Sequence, residues 1–213
     1  MVEMEKKFKE IDKQLQDIFT TLNGNIIFPC SYFVGSIITR TRANNQGFLD
    51  LIKAKNHICA LALIRLQIDN SILLYQAQLV EDPDDFFQYM ANGNEAYKYK
   101  GNKKMKIDFH ERKIVEALNY KYEEIQSLYK ASSGFIHFSS KHISSTYQQE
   151  LKEDGLNLYI NEHFTVFYSD EAYKAVYNTM LYVNEVVLDL LHYWEKLHLQ
   201  NVEIALKQSS NPK

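Results

Sequence analysis

Hydrophobic and polar side chains along this chain recur mostly with the period of an α-helix. In the first 22 residues the apolar positions are separated by steps of four and three: Met4, Phe8, Ile11, Leu15, Ile18 and Leu22. That spacing places all of them on one face of a helix, with charged residues on the other. Because Asn23-Gly24-Asn25 follows as a suitable C-cap, the pattern predicts a long N-terminal helix that ends there.

A second apolar stripe lies near the C-terminus. Its members recur at heptad spacing: Tyr173, Val176, Met180, Val183, Val187, Leu190, Trp194 and Leu197. Ser169-Asp170 supplies an N-cap, so the stripe predicts a long C-terminal helix, followed by a polar tail from about residue 208. Heptad stripes also join the helices of two subunits, and we therefore expect a homodimer.

The most apolar segment, residues 47–80, predicts a helix at the centre of the fold. Between Ile58 and Leu66 its only polar side chain is that of Arg65. A helix that is apolar nearly all round is typical of the middle of a bundle. Asp82-Pro83 ends this helix, because proline lacks an N–H and disfavours helix at the preceding residue.

The remaining segments predict shorter elements. Pro29 and Gly35 interrupt residues 26–46, which are predicted as a loop plus a short helix. Alternating side chains on both sides of Asn161-Glu162 predict a small β-hairpin near residues 156–168. Three short helices are expected at about residues 83–90, 109–119 and 121–135.

Composition supports the helical interpretation. The 213 residues include only 7 Gly and 3 Pro, too few for the frequent turns of an all-β domain. The length suits one hydrophobic core, so the chain is interpreted as a single helical domain over residues 1–213. The predicted fold class is all-α, an up-and-down helical bundle with one small β-hairpin.

Charge, cysteine content and motifs exclude several classes of function. A net charge of -3 gives the chain as a whole no attraction to nucleic acid or to an anionic membrane. Cys30 and Cys59 are too few for a disulfide framework and lack zinc-ligand spacing. Without a signal-peptide pattern or a run of about 20 apolar residues, we expect a cytoplasmic protein with no membrane partner. Known phosphate-loop, zinc and nucleophile motifs are absent, so no cofactor or metal is predicted.

Arg65 needs a partner, because it interrupts an apolar stripe and cannot give up its charge. Asp69 follows one helical turn later on the same face and is the nearest carboxylate. Two interpretations stay open. The pair is either a structural ion pair inside the bundle or part of a cleft in which Arg65 meets a ligand.

The segment from Tyr129 to His142 holds the candidate acid/base residue. Tyr129, Ser133 and His137 are spaced four and four, so they share one face if the helix persists through Gly134. Histidine is suited to proton transfer near neutral pH, which makes His137 the catalytic candidate, and Arg65 is the second candidate catalytic residue. The alternative is a histidine hydrogen-bonded at a helix end. Further candidate ligand-binding residues are Asp69, Lys130, Lys141 and His142.

Two local basic patches are weaker candidates for nucleic-acid binding. Arg40 and Arg42 form the first, and the second is a segment in which lysines alternate with tyrosines: Lys98, Lys100, Lys103 and Lys104. Lysine contacts phosphates and tyrosine stacks on unpaired bases. Lysine-rich loops are, however, also commonly only solvated.

The order of these features carries a family resemblance over about residues 45–145. An apolar helix with a central arginine, Ala60 to Tyr75, precedes Val80-Glu81-Asp82-Pro83, and Tyr129-Lys130-Ala131-Ser132-Ser133-Gly134-Phe135-Ile136-His137 comes later. This order resembles bacterial helical proteins in which an arginine-bearing helix comes before a Tyr-x-x-x-Ser-x-x-x-His segment. More distantly, it is similar to the HEPN (higher eukaryotes and prokaryotes nucleotide-binding) helical bundles.

The resemblance implies binding of a nucleotide, nucleic acid or small anionic ligand by an HEPN-like module. Many HEPN proteins are dimeric, metal-independent ribonucleases of toxin or phage-defence systems, with a histidine four to six residues after an arginine. None of the arginines here is followed by a histidine at that distance. A ribonuclease therefore requires Arg65 to meet His137 across the bundle. A third hypothesis is a structural or interaction protein built on the terminal heptads.

Overall fold

The structure is a computed structural model that describes residues 2–100, 109–137, 139–140, 147–152, 155–160 and 169–210. Within these residues the α-helices are α1 Val2–Leu22, α2 Pro29–Lys53, α3 His57–Leu79, α4 Pro83–Ala91, α5 Glu111–Asn119, α6 Ile125–Ile136 and α7 Asp170–Ser210. A 3-10 turn, Ala96–Lys98, lies between α4 and α5. The predicted all-α class and the long N- and C-terminal helices are confirmed.

Side-chain caps begin α3, α4 and α7, and at α7 the Ser169 hydroxyl accepts from the backbone N–H of Ala172 at 3.3 Å, as predicted. The Asn56 side chain accepts a hydrogen bond from the backbone N–H of Cys59 at 3.3 Å and starts α3. The Asp82 carboxylate accepts from the N–H groups of Asp84 and Asp85 at 3.0 and 3.1 Å, and Pro83 takes the first helical position of α4. The predicted stop at Asp82-Pro83 is therefore also the start of the next helix.

The prediction of a loop plus a short helix over residues 26–46 is wrong. Pro29–Lys53 is one helix of 25 residues. Pro29 begins it, where a missing N–H costs no hydrogen bond. Gly35 lies against the ring of Phe19, and a β-carbon there would lie 3.4 Å from that ring. The glycine thus serves the close packing of α1 on α2 and does not break the helix.

α3 lies at the centre of the bundle, in contact with α2, α5, α6 and α7, while α1 packs on α7 and α2. Ala60, Ile68 and Leu74 of α3 have no solvent exposure. With a mean hydropathy of 1.4, α3 is long and apolar enough to cross a membrane by length and composition alone. Half of this apolar stretch of α3 is buried in the structure. Such burial is also expected for the central helix of a bundle.

A network of buried polar side chains, here called the amide network, joins α2, α3 and α7; its members are five amides and one hydroxyl: Asn44, Asn45, Gln67, Asn70, Asn184 and Thr41. Gln67 donates to Asn184 Oδ1 at 3.0 Å, and Asn184 donates to Asn45 Oδ1 at 2.8 Å. Asn70 donates to Gln67 Oε1 at 3.1 Å. This amide network fixes the lengthwise position of α3 against α2 and α7, because any slip would leave buried amides unpaired.

The β-hairpin predicted near residues 156–168 is not supported. The described strands are β1, Tyr147–Lys152, and β2, Gly155–Ile160, which pair antiparallel with Tyr147 opposite Ile160. The strand expected to begin at Leu156 thus pairs with β1, which precedes it in the chain. The turn of this hairpin lies between β1 and β2 and not at Asn161-Glu162. Residues 161–168 lie outside the described part of the chain.

The C-terminal part of α7 extends past the other helices. The Glu195 carboxylate accepts from the hydroxyl of Thr21 near the end of α1 at 3.0 Å. The His198 ring lies 3.2 Å from the hydroxyl of Ser31 near the start of α2. Residues Leu199–Ser210, here called the α7 extension, continue for about 18 Å. Leu199, Ile204 and Leu206 are each 54% exposed there.

Candidate functional site

Arg65 lies in the middle of α3 and points to the packing contact with α5 and α6. Its guanidinium forms an ion pair with Asp69 through Nη1, which confirms the partner expected from the i, i+4 spacing. Nη2 lies 3.2 Å from Oε2 of Glu111, the first residue of α5. Glu111 was not predicted, because nothing in its local sequence distinguishes it from other surface glutamates.

Tyr129 of α6 completes this group. Its ring lies over the guanidinium of Arg65, with Cζ 4.2 Å from the ring centroid. Its hydroxyl donates to Oε2 of Glu111 at 2.8 Å, so the same oxygen receives Arg65 and Tyr129. Burial, and after it the hydrogen bond to Glu111, raises the pKa of Tyr129. The phenol therefore stays protonated and remains a donor at neutral pH.

These four residues, Arg65, Asp69, Glu111 and Tyr129, are called the arginine cluster below. The Arg65 side chain is 10% exposed, whereas the side chains of Asp69 and Glu111 are 25% and 53% exposed. Two carboxylates against one guanidinium leave the cluster with one net negative charge. The ion pair between Arg65 and Asp69 is present, and the more exposed side of the cluster is that of Glu111.

The segment that follows Tyr129 is only partly brought to the cluster. Ser133 shares the helix with Tyr129, and its hydroxyl donates to the Tyr129 carbonyl at 2.6 Å. Lys130 is exposed next to Tyr129. His137 caps the C-terminal end of α6 with an extended backbone and an exposed side chain, about 12 Å of helical rise from Tyr129. Lys141 and His142 lie outside the described residues.

Both arginines of the first basic patch have partners within the chain. Arg40 donates from Nη1 to Oδ1 of Asn70 at 2.8 Å, and burial lowers its pKa. Arg42 donates to both carboxylate oxygens of Asp12, at 2.7 and 3.2 Å, which raises the pKa of Arg42. It also donates to Gln16 at 2.6 Å. Both guanidinium groups thus join α2 to a neighbouring helix, Arg40 to α3 and Arg42 to α1.

The second basic patch is described only in part. Lys98 forms an ion pair with Glu95, which also accepts from the hydroxyl of Tyr97 at 3.0 Å. Lys100 is exposed, and Lys103 and Lys104 lie outside the described residues. Lys98 and Tyr97, which were expected to contact nucleic acid, therefore both contact Glu95 of the same chain.

Metal and thiol chemistry find no support in the described residues. They contain no group of three His, Cys, Asp or Glu side chains able to hold a metal ion. Burial, and after it the hydrogen bond to Asp84, raises the pKa of Cys30 to about 12. A thiol with such a pKa is protonated at neutral pH and is a poor nucleophile. The arginine cluster is therefore the main candidate site.

Comparison with models of known protein families, with curated proteins and with solved structures finds no match to this chain. The resemblance to HEPN domains stays a prediction. Function is therefore inferred from the chemistry of the arginine cluster and of the exposed surfaces.

Proposed function

We propose that this protein is a HEPN-like, non-catalytic binding module that holds the phosphate group of a nucleotide or nucleic acid at Arg65 and Tyr129. One observation carries the proposal. The guanidinium Nη2 and the phenol hydroxyl converge on a single carboxylate oxygen, at 3.2 and 2.8 Å. Donors arranged around a carboxylate oxygen suit a phosphate oxygen equally well, because both are anionic acceptors that arginine binds.

The net negative charge of the cluster opposes an incoming anion, and features around the cluster offset it in part. The exposed side chain at the opening is that of Glu111, so a ligand approaches Arg65 from solvent without unpacking the core. The exposed Lys130 follows Tyr129 directly and adds a positive charge on α6. Glu111 also begins α5, where the free backbone N–H groups of a helix N-terminus favour negative charge.

The test is a binding measurement on Tyr129→Phe, which removes the hydroxyl and keeps the ring over Arg65. We expect it to weaken binding of adenosine 5′-monophosphate about tenfold in isothermal titration calorimetry, the value of one hydrogen bond to an anion. Tyr120→Phe, at a tyrosine that is 95% exposed, is the matched control and leaves the affinity unchanged.

Two other probes identify the source of the phosphate. Inorganic phosphate is titrated by the same calorimetric method, and a 12-nucleotide single-stranded RNA is followed by fluorescence anisotropy. Binding of the RNA alone would assign the site to a nucleic-acid backbone, and binding of the mononucleotide alone to a free nucleotide. Equal binding by Tyr129→Phe and the wild type would contradict the proposed site.

The alternative of a metal-independent ribonuclease receives less support from the geometry. It requires His137 to act with Arg65, yet His137 is exposed at the end of α6, while Arg65 faces α5 and Tyr129. Cleavage of RNA by the purified wild type that is lost in His137→Ala would restore this alternative.

A second candidate function is assembly, favoured by the α7 extension. Two of its exposed apolar side chains, Leu199 and Leu206, are seven residues apart and lie on one helical face, the kind of surface that marks an interface. Glu203 and Lys207 pair with each other at 2.6 Å, so the extension carries little net charge to repel an identical copy. We propose that two copies pair through this extension. The heptad stripe of α7 does not supply the interface, because Met180, Val183, Val187, Leu190 and Trp194 are buried within the chain.

A further inference from the structure

We infer that Glu111 is an internal competitor whose carboxylate occupies the anion position of the arginine cluster and must move away before a phosphate binds. This inference rests on the proposed function and adds a means of regulation to the same site. In the structure Oε2 of Glu111 lies 3.2 Å from Nη2 of Arg65 and 2.8 Å from the hydroxyl of Tyr129. A phosphate oxygen held by the same two donors would have to occupy this position.

The two carboxylates on Arg65 are not equivalent. Asp69 lies one turn along α3, so the helix itself holds it at Nη1, and its side chain is 25% exposed. Glu111 belongs to a different helix and is 53% exposed. The pair with Asp69 is thus a permanent part of the core helix. Only the Nη2 side of the guanidinium is available for exchange with a ligand.

The backbone around Glu111 is held in place, so exchange requires only rotation of its side chain. Phe109 is buried, and its carbonyl accepts from Nε2 of Gln76 at 2.9 Å. On the other side, Ile114 and Leu118 fix α5 in the core with no solvent exposure. The glutamate side chain therefore opens or closes the site while α5 stays packed.

The strength of the competition follows from exposure. An ion pair with one partner more than half exposed is weak, since solvent screens it and holding a long side chain in one rotamer costs entropy. Such a pair changes an equilibrium by up to about fivefold. Removal of the Glu111 charge is therefore expected to strengthen phosphate binding by about that factor.

The test compares Glu111→Gln with the wild type in calorimetric titrations with adenosine 5′-monophosphate and with inorganic phosphate. We expect about fivefold tighter binding by Glu111→Gln. Glu116→Gln is the matched control, because Glu116 lies on the same helix and pairs with Arg112 and Lys113 at 3.2 and 2.8 Å instead of with Arg65. The control keeps the affinity of the wild type.

Glu111→Ala provides a second variant at an exposed helix start, and circular-dichroism melting checks that each variant is folded. If the wild type binds and depends on Tyr129, but neither Glu111 variant binds more tightly, Glu111 is not a competitor and the proposed function stands. If the wild type and both Glu111 variants bind neither probe, the proposed function fails and this inference fails with it. Binding seen only in the Glu111 variants would support both.

Discussion

The guanidinium of Arg65 on α3 lies over the ring of Tyr129 on α6, with 4.2 Å between Cζ and the ring centroid. A cation over an aromatic face contributes roughly 0.5–2 kcal/mol, more when solvent is excluded. Asp69 and Glu111 neutralise the same guanidinium. One residue of the core helix thus links three helices and also presents the donors of the proposed phosphate site.

The arginine cluster should contribute measurably to stability. Arg65→Ala removes the cation, the ring contact and the packed methylene groups, and we expect it to lower the free energy of unfolding by about 3 kcal/mol. Arg65→Met keeps the packing and should lower it by about half as much. Urea denaturation measures both values. The exposed Arg112→Ala should stay within about 0.5 kcal/mol of the wild type, and a similarly small change for Arg65→Ala would argue against a structural role.

The amide network should be sensitive to loss of a single member. Asn184→Leu leaves Gln67 Nε2 and Asn45 Oδ1 without their partner inside the core. We expect a loss of about 2–3 kcal/mol in the free energy of unfolding, the cost of unpaired buried polar groups. Asn178→Leu changes an exposed asparagine of the same helix and should have little effect. Equal stability of the two variants in urea would show that the network contributes nothing.

Stability should fall as the pH is lowered toward 5, because buried histidines lie at two of the packing contacts of α7. His57 lies against the ring of Tyr173 with 3.9 Å between centroids, and His198 contacts Ser31 at 3.2 Å. Burial lowers the pKa of both histidines from the ordinary 6.5. Below about pH 6.5 the unfolded chain therefore binds protons that the folded chain does not, and stability is lost until the folded pKa is reached.

Chemical denaturation at pH 7.5 and at pH 5.0 measures this dependence. His198→Gln removes one of the titrating groups and should reduce the difference between the two pH values. His192→Gln, at an exposed histidine of the same helix, serves as the control. An unchanged pH dependence in His198→Gln would exclude His198 as a cause.

The α7 extension should control the oligomeric state. Light scattering during size-exclusion chromatography is expected to give the mass of a dimer for the wild type. Leu206→Glu places a charge on the face that carries Leu199 and Leu206 and should give a monomer with an unchanged melting temperature. Gln200→Glu adds the same charge at a polar position of the extension and should remain dimeric. A monomeric wild type would contradict the proposed assembly.

The sequence by itself determined the two terminal helices and the central one, although it began the central helix near residue 47 instead of at His57 and did not predict most of α2. The stripe of α1, the apolar body of α3 and the heptads of α7 are local patterns, and they locate a helix because burial repeats every three to four residues. Asp69 was predictable as the partner of Arg65 for the same reason, since one helical turn separates them. Pro29 and Gly35 led to the wrong prediction of a helix break. Proline also occurs at the start of a helix, and glycine also occurs where two helices pack closely.

Only the tertiary structure decided which distant side chains meet. Glu111 and Tyr129 reach Arg65 from α5 and α6, and Asn184 of α7 bonds to Asn45 of α2. Such pairs depend on the angle and the lengthwise position at which helices pack. Those quantities result from the fit of whole helix surfaces, so no spacing within one segment encodes them. The spacing that singled out His137 likewise did not show that it would lie exposed at the end of α6.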